Sequence, residues 1–338
     1  MNVQLLRYTD VPMRKQTLGH TEEKVSALCL GCLQFGSRDD QQLSYSILDA
    51  YVEAGGSFLD TSNNYVFWRE GFYGGESEKM LGQWMTERKN RDDIFLATKV
   101  GAKPTFKGGT FDDAEGLSAT VIERAVEESL ENLRTDRIDL YYAHIDDRKT
   151  PLEETLEAFD TLIRSGKVRY IACSNYKPWR VHEAHAISKH CDLERYCAIQ
   201  QWDTYLKLNT GEYLGLQEFM SDELVDYART KKDFSLITYG PLLWGSYTQA
   251  SREIPMNFQS DFNYRRLAAL YKVAAEIQAT PNQVVLAWLM QQDPVRIPIM
   301  AVGSVKQLKE NLGALELILS NEQMQFLDEA GKVSVPSK

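Results

Sequence analysis

The chain has 338 residues, 43% of them hydrophobic and 25% charged, with a formal net charge of −10. That composition supplies ample material for a packed core. The acidic balance opposes a nucleic-acid or anionic-membrane partner, because repulsion would act over the whole surface. Any anionic ligand must then be held by local donors.

Along the chain, residues 1–25 fall outside the repeating pattern and are expected to form a hairpin or cap. From residue 26 onward, short apolar runs alternate with amphipathic stretches. Strands are expected at 26–33, 57–60, 94–99, 138–144, 168–173, 197–202, 234–239 and 296–302. Helices are expected at about 41–54, 76–88, 118–133, 152–165, 178–190, 222–231, 262–278 and 304–315. In "SATVIERAVEESLENL" the apolar Val121, Ile122, Ala125, Val126, Leu130 and Leu133 keep to one helical stripe. "TPNQVVLAWLMQQ" opens with Thr280 as N-cap and Pro281 in the first turn, adding a helix before the last strand.

Eight such units with no linker between them predict one α/β domain, a closed (β/α)8 barrel over 26–338 that includes a C-terminal helix or tail. A doubly wound sheet would want G-x-G-x-x-G at its first turn, and "LGCLQFGS" does not supply it. The five cysteines, Cys29, Cys32, Cys173, Cys191 and Cys197, show no paired-ligand spacing and read as reduced thiols. Cys29 and Cys32 sit inside the apolar run "LCLGCLQFG", which suits a packed or cofactor-lining role better than a redox dithiol. The N-terminal stretch has no signal-like apolar region, and no run approaches the ~20 apolar residues of a membrane span. A cytoplasmic protein without a membrane partner is expected.

Three apolar runs end on an ionisable residue: "FLDTSNNY" at Asp60, "IFLATK" at Lys99 and "IDLYYAH" at His144. In a parallel barrel every strand's C-terminal end opens on one face, so these three meet at the mouth, with Tyr65 in the loop just after Asp60. An ammonium beside a phenol favours the phenolate and would make Tyr65 a better acid–base. Asp60 would keep Lys99 charged, and His144 would polarise a carbonyl oxygen through a ring N–H. The plainer alternative is a structural Asp60–Lys99 ion pair with two amphipathic rim residues.

At these residues the sequence resembles the aldo-keto reductase family, over about residues 26–315. The most specific stretch is "SLENLRTDRIDLYYAHIDDRKTPLEETLEAFDTLIRSGKVRYIACSNY", supported in order by "LCLGCLQFG", "FLDTSNNY", "LATKV" and "YGPLLWGSYT". The resemblance implies a metal-free NAD(P)H-dependent reductase of aldehydes or ketones, with Asp60, Tyr65, Lys99 and His144 as its acid–base tetrad. It also implies that Gly31 and Cys32 line the cofactor, and that Ser174, Asn175 and Gln200 hold the nicotinamide carboxamide. Gln201 is the fallback for Gln200, which fits better because Thr204 then takes the family's small polar position. Tyr239 would stack on the nicotinamide, Gly240, Pro241, Leu242 and Gly245 would follow the pyrophosphate, and Gly303, Ser304, Gln307 and Asn311 would line the far end.

Two departures stand out. "VFWREGF" intervenes between Tyr65 and the Gly-rich turn, making Tyr73 a rival for the acid; Tyr65 is preferred for its distance of five from Asp60. The insertion brings Phe67, Trp68 and Arg69 either to the substrate pocket or against the loop "GAKPTFKGGTFDDAEGLS". Second, Ala301 and Gln307 stand where NADP-using relatives place Lys or Arg, although Lys306, Lys309 and Ser304 are near. NADPH is expected over NADH. His182, His185, His190 and Cys191 cluster on one outer helix, and no metal is expected there. The rival functions are a nucleotide-sensing subunit with little turnover, and an isomerase or lyase using Lys99 as a Schiff-base amine. The substrate and the oligomeric state are left open.

Overall fold

The computed structural model describes residues 12–332. An antiparallel hairpin, β1 (Lys15–Thr17) and β2 (Lys24–Ser26), comes first. Eight parallel strands then close into a barrel: β3 (Cys29–Gly31), β4 (Phe58–Asp60), β5 (Phe95–Val100), β6 (Ile138–Ala143), β7 (Val168–Ser174), β8 (Ala198–Trp202), β9 (Ser235–Tyr239) and β10 (Arg296–Met300), with β10 pairing back onto β3. Helices α1 (Gln41–Glu53), α2 (Glu76–Arg88), α3 (Ala119–Leu133), α4 (Leu152–Arg164), α5 (Pro178–Cys191) and α6 (Asp222–Lys231) follow the first six barrel strands in turn. α7 (Asp261–Glu276) and α8 (Pro281–Met290) lie between β9 and β10, and α9 (Val305–Leu312) and α10 (Asn321–Glu329) end the described chain. This is the (β/α)8 barrel that the alternation of elements predicts.

The first barrel strand is shorter than the apolar run at 26–33 suggests. Ser26 pairs with Lys15 in the hairpin, and beyond Gly31 the chain turns outward. Of the N-terminal segment, residues 1–11 lie outside the described residues. The hairpin seats Leu18 and Val25 against Cys29, Phe58, Phe95 and Cys197, filling the end of the barrel opposite the mouth. Gly19, at φ 53, makes that seat possible: a side chain there would collide with the Cys197 carbonyl.

Two apolar layers result. Inward residues, Phe58, Phe95, Ala97, Leu140, Tyr142, Ala172, Ala198, Ile237, Ile297 and Ile299, fill the barrel. The alternate residues face the helices, whose apolar stripes cover them. On α3 the stripe buries Ile122, Val126 and Leu133 completely, each contributing about 1.5–3 kcal/mol. Thr280 caps α8 as expected, its Oγ1 accepting from Gln283 N at 3.2 Å while Gln283 Oε1 accepts from Thr280 N at 2.9 Å.

Candidate active site

Strand parity decides which side chains stand at the mouth. Side chains alternate in and out with period two. Stepping by two from a residue in the barrel core, Phe58 leads to Asp60, Ala97 to Lys99, Tyr142 to His144, Ala172 to Ser174, Ala198 to Gln200 and Ile237 to Tyr239. All six therefore cap the interior at its C-terminal end.

Lys99 is fully buried and directs all three of its N–H donors at oxygen. They reach Asp60 Oδ1 at 2.5 Å, the Thr61 carbonyl at 2.6 Å and the Tyr65 hydroxyl at 2.6 Å. Tyr65 donates its own proton to Asp60 Oδ1 over a longer 3.2 Å. The second Asp60 oxygen accepts from Gln200 Nε2 at 2.9 Å. A carboxylate and an ammonium so deeply buried are tolerated because each is paired and hydrogen-bonded.

The electrostatic balance differs from the expectation on one point. Burial, and then the Asp60 charge, push the Tyr65 phenol well above its ordinary value of 10.0. Asp60 stands 2.5 Å from Lys99 and offsets its field, while low dielectric penalises the phenolate. The phenol keeps its proton at neutral pH, which suits an acid better than a base. His144 is pushed well below 6.5, by burial first and by Lys99 second, so its ring is neutral. Its Nδ1 lies 3.1 Å from Ser62 Oγ, and its ring meets that of Tyr65 nearly edge-on at 6.3 Å.

Tyr73 does not join this group: its hydroxyl donates to the Pro104 carbonyl at 3.1 Å. The inserted Phe67 packs edge-on to Trp68 and to Phe111 of the loop after β5, with centroids 5.2 and 4.9 Å apart. Trp68 and Phe111 remain 48% and 45% exposed, so the pair forms an open aromatic patch between the insertion that follows Tyr65 and the loop after β5. Arg69 is half-buried.

Across the mouth, Asn175 links three strand ends. Its Nδ2 donates to the His144 carbonyl at 3.0 Å and to Ser174 Oγ at 3.1 Å, while its Oδ1 accepts from the Tyr239 hydroxyl at 2.9 Å. Gln201 has outward parity, accepting from Asn175 N at 2.7 Å and donating to the Tyr176 carbonyl at 3.0 Å. The Tyr239 ring stacks on Trp202 at 6.5 Å and stays partly exposed. In the next loop Gly240, Leu243, Trp244 and Gly245 all have positive φ, 65, 45, 54 and 95°. Leu243 N and Gly245 N are satisfied within the loop, by the Gly240 carbonyl at 3.2 Å and the Leu242 carbonyl at 2.8 Å, and the left-handed conformation costs Leu243 and Trp244 about 1–3 kcal/mol each. Thr204 Oγ1 holds the base of this loop, donating to the Pro241 carbonyl at 2.6 Å, and Leu242 is buried in the core.

At the remaining edge, Gly31 pairs in register with Asp60, and Cys32 N donates to the Asp60 carbonyl at 2.9 Å. The Cys32 side chain turns into the helix-facing layer while Cys29 lies in the barrel interior, and both are free thiols. Ser304 and Gln307 cap α9: Gln307 N donates to Ser304 Oγ at 3.2 Å and Gly303 N donates to Gln307 Oε1 at 2.8 Å. Asn311 is buried farther along that helix. Arg38, from the loop after β3, brings Nη2 to 3.4 Å from where a Cβ on Gly303 would stand.

The sequence profile of the Aldo/keto reductase family matches residues 27–332. The chain belongs to the aldo-keto reductase family. It is an NAD(P)-dependent oxidoreductase of a family that acts on small-molecule carbonyl compounds. This aldo-keto reductase is 30% identical to norsolorinic acid reductase A of Aspergillus parasiticus over 321 residues, 91% of this chain and 78% of that one. It is 30% identical to the oxidoreductase YrpG of Bacillus subtilis over 323 residues, 92% and 94% of the two chains. An aryl-alcohol dehydrogenase [NADP(+)] of Phanerodontia chrysosporium is 28% identical over 335 residues, 90% of this chain and 82% of that one.

Several contributors to the aldo-keto reductase mouth escaped the sequence reading: the Thr61 carbonyl, the Ser62–Asn64 pair behind His144, and Arg38. Only Ser62 and Asn64 left a signal, two buried polar residues directly after a strand end. On the outer helix, both ring nitrogens of His185 are occupied, by the Tyr227 hydroxyl at 2.8 Å and the Tyr196 carbonyl at 3.0 Å. No helix among the described residues is long and apolar enough to cross a membrane.

Proposed function

We propose that this aldo-keto reductase reduces an aldehyde or ketone with NADPH, and that Tyr65 delivers the proton to the carbonyl oxygen. The observation that carries the reading is the shared ammonium, with Lys99 Nζ at 2.5 Å from Asp60 Oδ1 and 2.6 Å from the Tyr65 hydroxyl. A bound reduced nicotinamide supplies the hydride that the carbonyl carbon takes. Tyr65 starts protonated, its hydrogen resting on a long bond to Asp60 that a substrate oxygen can replace. As that proton leaves, negative charge grows on an oxygen already facing Lys99. Such pre-aimed stabilisation in a water-poor site is the strongest lever available to an enzyme. Asp60, braced by Gln200, holds the ammonium in place throughout.

The residues present suit a nicotinamide dinucleotide. Tyr239 offers a partly exposed ring, Ser174 and Asn175 supply amide-recognising groups beside it, and the loop at 240–245 after β9 would follow the diphosphate. Because Asn175 and Gln201 satisfy each other and the nearby backbone, a carboxamide would take over one of those bonds rather than meet a free group. Preference for the 2′-phosphate rests on Arg38 at the start of α9, with the exposed Lys306 and Lys309 on that helix. A relative named for NADP(+) agrees with this choice.

The test is oxidation of NADPH by para-nitrobenzaldehyde with the purified protein and its Tyr65→Phe variant. Turnover that the variant abolishes supports the reading. Tight NADPH binding with no turnover of any aldehyde would overturn it in favour of a nucleotide sensor.

A further inference from the structure

Strand parity sends a second set of charges away from the mouth. Ile297 and Ile299 face the barrel interior, so Arg296 at the start of β10 points into the helix layer. Asp203, two residues beyond the outward-facing Gln201, does the same just past the end of β8. Between the barrel wall and helices α6, α7, α8 and α10 they meet Arg266 of α7 and Lys207 around a cleft of about 240 Å³. Asp203, Arg266 and Arg296 are only 3%, 2% and 7% exposed. The barrel wall separates this cleft from Lys99 and Gln200, which lie within it.

The protein itself serves these charges poorly. Arg266 Nε donates to the Tyr205 carbonyl at 2.9 Å, and Nη1 donates to the carbonyls of Ala330 and Asp328 at 3.2 and 3.4 Å. Carbonyls satisfy donors but do not neutralise a cation. Arg296 Nη1 donates to the Pro294 carbonyl at 2.6 Å, while its Nε has no acceptor among the described residues. Asp203 Oδ2 stands 3.6 Å from that Nε, beyond hydrogen-bonding distance. Neither arginine's Nη2 makes a hydrogen bond to a described residue. Burial pushes the Asp203 carboxyl above 3.8 and both guanidinium groups below 12.5, as for charges short of partners. At the rim the Lys207 backbone is clamped by Asn263 at 3.0 and 2.6 Å, and its ammonium has no acceptor among the described residues. The rim acids Asp293 and Asp328 are exposed, and they already accept from Arg229 and Trp288.

We propose that this cleft is a second binding site, for a small tetrahedral oxyanion that still carries a proton, and that hydrogen phosphate is the ligand. Nη2 of Arg266, Nη2 of Arg296 and the Lys207 ammonium donate to its oxygens, and Asp203 accepts its proton. The charges agree. Two guanidinium groups against one carboxylate leave the floor with one positive charge, and Lys207 adds a second, which matches a dianion. The proton separates this ligand from its analogues. Sulfate has the same shape and charge but no proton for Asp203. Phosphate esters, with a second pKa of about 6, have lost theirs at neutral pH, whereas inorganic phosphate keeps one. The site also backs onto the mouth: Asp203 precedes Thr204, whose Oγ1 holds the Pro241 carbonyl at 2.6 Å, and Arg266 holds the Tyr205 carbonyl. An occupant therefore ties down the segment beneath the loop after β9.

The experiment is calorimetric titration of the full chain with sodium phosphate and, separately, sodium sulfate, with NADPH present throughout so that phosphate-holding groups at the mouth are occupied. Phosphate is expected to bind about tenfold or more tightly than sulfate, the effect of one buried acceptor left unmatched. Asp203→Asn presents an N–H in place of a carboxylate oxygen, and that preference should vanish or invert. Lys207→Ala and Arg296→Gln should each weaken phosphate about tenfold or more. Lys207 is a half-buried rim residue with an unpaired ammonium among the described residues, so its variant decides the matter if Arg296→Gln does not fold. The wild-type melting temperature should rise with phosphate and not with sodium chloride of equal ionic strength. Absence of saturable phosphate binding, or binding that Lys207→Ala leaves unchanged, would overturn the site. Equal affinity for sulfate and phosphate would overturn the assignment of the ligand, since the proton to Asp203 would then play no part.

Discussion

Gln200 donates to the one Asp60 carboxylate oxygen that Lys99 leaves free, at 2.9 Å. Its side chain lies inside the barrel beneath the mouth and is only 3% exposed. In this arrangement it braces the acid of the ion pair. Gln200→Leu leaves that buried oxygen without a donor, at a cost of about 1–3 kcal/mol. We expect kcat to fall about tenfold or more while the dissociation constant for NADPH, read from fluorescence quenching, stays within a few-fold. A variant whose cofactor affinity collapses while kcat holds would return Gln200 to the carboxamide.

Tyr65→Phe removes the proton that the proposed reduction requires, without removing the ring. Loss of a positioned acid typically costs about 10²–10⁴ in rate, and we expect that loss in kcat with cofactor affinity little changed. Tyr73→Phe breaks only a partly buried bond to the Pro104 carbonyl and should leave kcat within about threefold. Steady-state kinetics of both variants against one aldehyde decide between the two tyrosines, and a reversed ranking would move the acid to Tyr73.

The barrel was legible because its signal is local and repeated: apolar runs of strand length, each followed by a helix with one apolar stripe. The meeting of Asp60, Tyr65, Lys99 and His144 was legible because three runs stop on ionisable groups and parallel strands share one end. The two glutamines show what a local reading loses. Parity was present in "AIQQW", where Ala198 faces the interior and Gln200 follows two places later, yet the choice between Gln200 and Gln201 rested on resemblance instead. The polar support behind His144 was beyond reach, because it depends on Ala102 in a different loop, 38 residues from Asn64. Arg38 was equally hidden, since nothing near it in the chain announces that it meets Gly303 at the opposite end of the sequence. The Tyr65 balance was misjudged for a third reason: the effect of an ammonium depends on how closely its counter-ion stands.

Arg38 is half exposed and fork-bonded to Asp39, with Nε–Oδ1 at 2.7 Å and Nη2–Oδ2 at 3.0 Å. That pair holds the guanidinium beside the start of α9, where Ser304 and Gln307 are spent on capping. Under the proposed cofactor choice, Arg38→Ala should raise KM for NADPH about tenfold and change KM for NADH less than twofold, because only the former has a 2′-phosphate to lose. Equal effects on both would assign Arg38 to the loop's conformation and not to the phosphate.

His185 gives a pH dependence that is independent of catalysis. Its ring is packed between Tyr227 and Phe234, with centroids at 6.0 and 5.0 Å, and Nε2 must carry the proton that reaches the Tyr196 carbonyl, leaving Nδ1 to accept from Tyr227. Burial is the main cause that lowers its pKa from 6.5 to about 4. The unfolded chain therefore binds this proton more readily than the folded one between those values. The stabilisation is fully present above 6.5 and is lost progressively as pH falls toward 4, up to about 3 kcal/mol at 1.36 kcal/mol per unit. His185→Gln cannot titrate, so the stability gap between wild type and variant should narrow steadily as urea unfolding is repeated from neutral pH down to about pH 4. Parallel curves would mean that the ring titrates alike in both states and that its burial carries no such penalty.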